Sequence, residues 1–225
     1  LVTMRIELSP APGSDYSSLP ALARPVQSLV ACEVLLRNEG PLGRRFMMGL
    51  PVDVEDPTAT TDVEVTVDGV PLGADAVTRQ GSDRAVDRYT AYLWPLRLAP
   101  GAEAEVRVRY TQRWSTRVLP EGRGMMRWIE SIVAPARLWR DRIDVATFVV
   151  NGFDAGTRAL GGLADAGGTF RAGLVRHDRA WSFLRPRRMR QRAPFDGTGT
   201  ARLEHRDWEP RSRTRLLVAI RVPAH

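Results

Sequence analysis

The chain contains no lysine; all 33 of its basic residues are arginine. A binding requirement alone would not remove every lysine, because an ammonium neutralises phosphate as a guanidinium does. A GC-rich coding habit, which favours Arg, Ala, Gly and Pro, is the simpler cause. The net charge of +7 still gives the surface an affinity for anionic partners. Cysteine is almost absent as well. Cys32 stands alone in "SLVACEVLL", so no disulfide can close within the chain, and cysteine usage leaves the redox compartment open. An alternating apolar setting makes that thiol a small buried hydrophobe rather than a nucleophile.

Long apolar runs are missing. None approaches the ~20 residues of a membrane-spanning helix, so no transmembrane span is expected. The opening "LVTMRIELSP" has no basic segment followed by an apolar one, so no leader is read within it. Histidine is scarce: His177, His205 and His225 have no second His or Cys at ligand spacing, which argues against zinc. There is no G-x-S-x-G elbow, P-loop or dinucleotide fingerprint. Carboxylates in "DVEDPTATTD" (53–62) suit calcium chemistry in principle, but their spacing fits no calcium loop. No catalytic residue, metal or cofactor is therefore assigned, and the chain is read as a non-enzyme.

What the sequence does contain is alternation. Hydrophobic residues make up 43% of the 225 residues and charged ones 26%, enough to build a soluble core. Short period-two runs occur at 2–8, 28–38, 44–51, 62–69, 87–96 and 103–115, then at 125–133, 142–150, 169–175, 180–186, 199–205 and 213–222. Such runs bury one face and wet the other. The turn "NEGPLG" predicts a hairpin over 28–51, and "LAPGAE" predicts another between 87–96 and 103–115. Regularly spaced strands, with long loops and little helix, predict an all-β chain of one or two antiparallel β-sandwich domains. The break at "VLPEGRG" (118–124) suggests an N-terminal sandwich at 1–118. Residues 125–225 then form a second β-rich domain or the second half of one large sandwich.

Two features qualify as binding candidates. The first is "RPRRMRQR" (185–192), five arginines without an acid. With its flank it gathers Arg176, Arg179, Arg185, Arg187, Arg188, Arg190 and Arg192 within seventeen residues. Pro186 excludes a helix interior there, and Trp181 and Phe183 alternate just before it, as on an edge strand. The segment reads as a basic loop at a sandwich edge; its plain reading is a solvated loop, its sharper one a contact for an acidic protein partner or an anionic polymer. Nucleic acid ranks below these, because no known nucleic-acid fold surrounds it. The second is "RYTQRWSTR" (109–117), whose aromatics sit among arginines. Its plain reading is core packing; its sharper reading is a stacking platform.

The order of motifs resembles the DUF4424 type, a domain of unknown function among bacterial envelope proteins. The segments that carry the resemblance are "VLLRNEG" (34–40), "FMMGLP" (46–51), "VTVDGVPL" (65–72), "AYLWPLRLAPGAEAEVRVRY" (91–110), "VAPARLWRDRIDVATFVV" (133–150) and "RDWEPRSRTRLLVAI" (206–220). Here "GLP" replaces the family's fuller "FPLP", and "WRDRI" lacks its glycine. The resemblance implies an exported, β-rich protein, at the cell surface, in the periplasm or secreted, and supplies no catalytic residue. The expectation is a binding or structural subunit of an envelope or extracellular assembly. The alternative is a polyanion or nucleic-acid binder acting through 176–192.

Overall fold

The computed structural model describes residues 3–11, 27–52, 59–73, 78–81, 90–118, 124–132, 143–151, 169–176, 191–193, 200–209 and 214–222. The strands among them, in chain order, begin with β1 (Thr3–Pro10), β2 (Gln27–Arg37), β3 (Arg44–Val52), β4 (Thr60–Val67), β5 (Val70–Pro71), β6 (Thr78–Gly81), β7 (Thr90–Leu98) and β8 (Glu103–Arg113). They continue with β9 (Ser115–Val118), β10 (Met125–Ile132), β11 (Ile143–Val150), β12 (Thr169–Arg176), β13 (Gln191–Ala193), β14 (Ala201–Trp208) and β15 (Thr214–Val222). No helix occurs among the described residues, so the all-β expectation holds. The predicted run at 180–186 lies outside them.

The strands form a seven-stranded sheet (β14-β11-β1-β2-β8-β4-β5), a five-stranded sheet (β13-β12-β15-β10-β9) and a three-stranded sheet (β3-β7-β6). One hydrophobic core draws on all three. Ile6 and Leu8 of β1, Trp94 and Leu96 of β7, Phe148 of β11 and Val218 and Ile220 of β15 all belong to it. Strands from both sides of 118–124 share the seven-stranded sheet, since β11 lies beside β1 and β14 beside β11.

Both predicted hairpins are overturned. β2 pairs with β1 and β8, whereas β3 pairs with β7 in another sheet. β7 and β8 likewise belong to different sheets. The two pairings run in series, Arg37 opposite Glu103 and then Arg44 opposite Leu98. Together β2–β3 and β7–β8 make one long antiparallel ribbon that bends between two sheets. The "NEGPLG" and "LAPGAE" segments are the two sides of that bend rather than hairpin ends. Alternation carries no information on whether a turn reverses the chain or redirects it.

The corner is closed by Asn38, which is buried. Its amide Nδ2 donates to the carbonyls of Leu42 (2.9 Å), Ala99 (3.0 Å) and Leu98 (3.3 Å), and its Oδ1 accepts from Gly40 N–H. Its main-chain N–H donates to Ala102, and its carbonyl accepts from Gly101. A bend interrupts ladder hydrogen bonding, and one asparagine supplies what the interruption would leave unsatisfied.

The antiparallel expectation needs one amendment: β1 and β11 are parallel, Thr3 opposite Val145 through Leu8 opposite Val150. Parallel partners require a long crossover, and here some 130 residues separate them. A second strand also changes sheets. β8 ends at Arg113, Trp114 turns inward, and β9 continues in the five-stranded sheet against β10. The Trp114 indole N–H donates to Ser28 Oγ at 2.8 Å within the core. The short β4–β5 hairpin turns at Asp68 and Gly69, both with positive φ, the chemistry of a tight Asp-Gly turn.

Candidate binding surfaces

Hydrogen-bonded pairs place the ends of the basic segment. Arg176 closes β12 opposite Thr214, and Arg192 lies in β13 opposite Gly173. β13 is the outermost strand of the five-stranded sheet and β12 its neighbour. Residues 177–190 thus connect an edge strand to the next strand in. Arg179, Arg185, Arg187, Arg188 and Arg190 lie outside the described residues, as do Trp139 and Trp181.

Of the two readings of 109–117, core packing holds for its aromatics and the stacking platform does not. Tyr110 is 3% exposed and Trp114 5%, so both rings point into the core, while Arg109, Arg113 and Arg117 are exposed. Alternation explains it: the even positions of β8, from Ala104 to Gln112, are all buried. Trp94 is also buried, and Trp128 packs against Met126, Leu217 and Ala219 on the other face of the five-stranded sheet. Of the acidic loop, Asp53, Glu55 and Asp56 lie outside the described residues. Asp62 sits at a bulge in β4 with φ of 56° and accepts from Thr61 Oγ1 at 2.8 Å. No group of three metal-ligating side chains occurs among the described residues.

Cys32 stands opposite Ile6 and Val108, and its side chain packs against the core. Burial, with the nearby Glu33 charge, pushes its thiol up to about 12. The packing role expected of Cys32 fits this, since a thiol so raised is almost wholly protonated near neutrality.

The outward face of the seven-stranded sheet is an arginine–glutamate lattice. Arg5 donates to Glu7 (2.8 Å), Arg37 Nε to Glu103 (2.8 Å) and Arg107 to Glu105 (2.7 Å). Arg202 and Arg206 both reach Glu204. Arg109 lies opposite Glu64. Thr147 and Val149 of β11 lie on this face, yet both are buried. The long flanking side chains of Arg5, Glu7, Arg202 and Glu204 occupy the positions opposite them. The charges on this face therefore largely answer one another.

Arginines of the three-stranded sheet differ. Arg45 of β3 lies directly opposite Arg97 of β7, and both are exposed. Among the described residues neither has an ion pair or side-chain hydrogen bond, and neither has Glu39, the acid in the adjoining bend. Next along the same face, Met47 stands opposite Pro95, with Met47 57% exposed. Gly49 then faces Leu93; a Cβ on Gly49 would come within 2.9 Å of Leu93 Cδ2, so Leu93 lies over the glycine. Leu42, in the bend that leads to Arg45, is 70% exposed. Sequence reasoning passed over this patch because Arg45 and Arg97 are neither adjacent nor in a charge run.

A further cluster also escaped it. His205 of β14 stacks on Trp208 (5.6 Å, 22°), and Phe148 meets both rings edge-on. Asp207, at φ of 48°, breaks the alternation so that Trp208 follows His205 onto the core side. His205 Nε2 is buried without a hydrogen-bond partner, and burial lowers its pKa.

No family model matches the chain, and no curated protein does. Solved structures do. A candidate nutrient-binding protein from Legionella pneumophila superposes with a TM-score of 0.61 at 13% identity, covering 96% of this chain and 65% of that one. The chain thus spans just under two thirds of that protein's length. An M1 zinc metallopeptidase from Deinococcus radiodurans gives a TM-score of 0.37 at 12% identity over 96% of this chain and 41% of its own. The pilus backbone protein of Streptococcus pneumoniae gives 0.28 at 10% identity, with coverage of 97% and 83%. The likeness to the Legionella protein is one of fold, an all-β architecture of several sheets. The other two scores are too low to carry an argument.

Proposed function

We propose that this chain is a non-catalytic, exported β-sandwich protein that serves as a binding or structural subunit of a cell-envelope or extracellular assembly. The observation that carries this reading is the mounting of the basic segment. Its two ends, Arg176 and Arg192, sit on the outermost pair of strands of the five-stranded sheet. A segment held there can meet a partner without disturbing the core. The fold likeness to a candidate nutrient-binding protein, over 96% of this chain, supports a binding role. Motif resemblance to envelope proteins supports the location.

The test is a native pull-down with the intact chain and with Arg187→Glu, Arg188→Glu and Arg190→Glu combined. The expected result is loss of a co-purifying acidic protein with an unchanged thermal transition. A native protein found only in the cytosol would overturn the location. The second reading, a polyanion binder, rests on the same arginines. Filter binding to single-stranded DNA and heparin at two salt concentrations tests it; no binding at low salt removes it, since phosphate contacts are strongest there.

A further inference from the structure

Like charges placed directly opposite each other on adjacent strands destabilise a sheet, with Cβ atoms about 4.5–5.5 Å apart. On the seven-stranded sheet arginines are placed against glutamates: Arg5 by Glu7, Arg37 by Glu103, Arg107 by Glu105, Arg202 and Arg206 by Glu204. Arg45 and Arg97 break that habit. They face each other across β3 and β7, exposed, with no acid bound to either among the described residues. Immediately beside them the sheet presents Met47 and Pro95, and Leu42 projects from the bend at the same end. Met47 and Leu42 are two of the four large apolar side chains that stand exposed among the described residues. An unneutralised arginine pair against an exposed apolar strip is the composition of a recognition surface, where arginine and methionine are enriched.

We propose that the outward face of the three-stranded sheet docks an acidic segment of a partner protein. A carboxylate of that segment bridges Arg45 and Arg97, and an apolar side chain beside it covers Met47 and Pro95. The geometry favours a carboxylate because two guanidiniums offer it several charge-assisted hydrogen bonds at once. A docked acid also removes the cross-strand repulsion that the free chain bears. The proposal rests on the subunit reading above but uses a different surface from residues 176–192.

The experiment uses the intact chain with labelled methionine methyl groups, the Met47 signal being assigned with Met47→Leu. The probes are a short peptide alternating leucine with aspartate, its asparagine counterpart, and phosphatidylglycerol–phosphatidylcholine vesicles. The aspartate peptide should shift the Met47 methyl saturably and the asparagine peptide should not. Arg45→Ala with Arg97→Ala should weaken that binding about tenfold or more, and the triple substitution at Arg187, Arg188 and Arg190 should leave it intact. Equal response to the two peptides, an unmoved Met47 methyl, or insensitivity to the Arg45/Arg97 substitutions overturns the proposal. A Met47 response to vesicles but not to peptide overturns it in favour of an anionic lipid surface. In native pull-downs, a partner lost on the 187–190 substitutions but kept on the Arg45/Arg97 substitutions overturns this surface and leaves the subunit reading standing. Failure to co-purify any protein defeats the subunit reading, while the Met47 titration still decides the surface.

Discussion

The Gly101 N–H donates to the Asn38 carbonyl at 2.8 Å, tying together two connections that lie 63 residues apart in the chain (101 − 38). One carries the chain out of the seven-stranded sheet and the other carries it back. The Asn38 side chain adds three carbonyl contacts at the same place. Asn38→Ala leaves those carbonyls without their donor and should cost about 2–3 kcal/mol. Asn38→Asp keeps the shape but turns a carboxylate oxygen toward them, and should cost more than alanine. Urea midpoints decide it; two variants as stable as the parent would show that this amide does not hold the corner.

Gly101 has φ of 69° and nothing within 4 Å of where a Cβ would stand. Substitution by alanine therefore meets no neighbour, and its penalty is conformational, about 1 kcal/mol. Because Gly101 and Asn38 share a hydrogen bond, their substitutions should combine non-additively. A double-mutant cycle summing to zero coupling would contradict the pairing.

The Cys32 thiol, pushed up to about 12 from 9.0, should resist thiol reagents in the native chain at pH 8. Its labelling rate should rise with urea in step with unfolding. The sign of the pH effect follows from linkage: the folded chain holds this proton more tightly. The contribution to stability is complete below about pH 9, the unfolded value, and is lost as pH rises from there toward 12. Cys32→Ala should abolish that alkaline component, and fast native labelling at pH 8 would refute the packing of this half-buried thiol against the core.

For His205 the sign is opposite. Burial between Phe148 and Trp208 lowers its pKa below 6.5, and neither ring brings a countercharge. Its sequence neighbours Glu204 and Arg206 are exposed, on the opposite face of the strand, where they pair with each other. The folded chain holds this proton less tightly, so stability is full above about pH 6.5 and falls as pH drops through the folded value. His205→Phe should flatten the urea midpoint between pH 7 and pH 5. A parent midpoint already flat over that range would remove histidine from the account.

Strand positions were legible because alternation is local. The run at 103–115 became β8, and 62–69 became β4, within two residues at either end. Partners were not legible. "NEGPLG" and "LAPGAE" contain the residues of a reversing turn, yet the hydrogen bonds that make them a bend join Asn38 to Leu98, Ala99, Gly101 and Ala102. No local pattern encodes a contact of that separation. The parallel pairing of β1 with β11 was hidden for the same reason. Of the surfaces, a charge run such as 176–192 is visible in one dimension. The Arg45–Arg97 juxtaposition exists only once β3 and β7 are in register.

β1 lies between β2 and β11, so one flank of the first strand stays empty until residue 150 has joined the sheet. In a chain that folds as it is made, the β1–β2 and β2–β8 ladders should form before β11 exists, leaving the backbone groups of Thr3–Leu8 that pair with β11 without partners until then. An edge left open in that interval would be the kind that captures stray strands from other chains. Pairing across so long a separation predicts slow closure of this sheet, written into its topology rather than into any single residue.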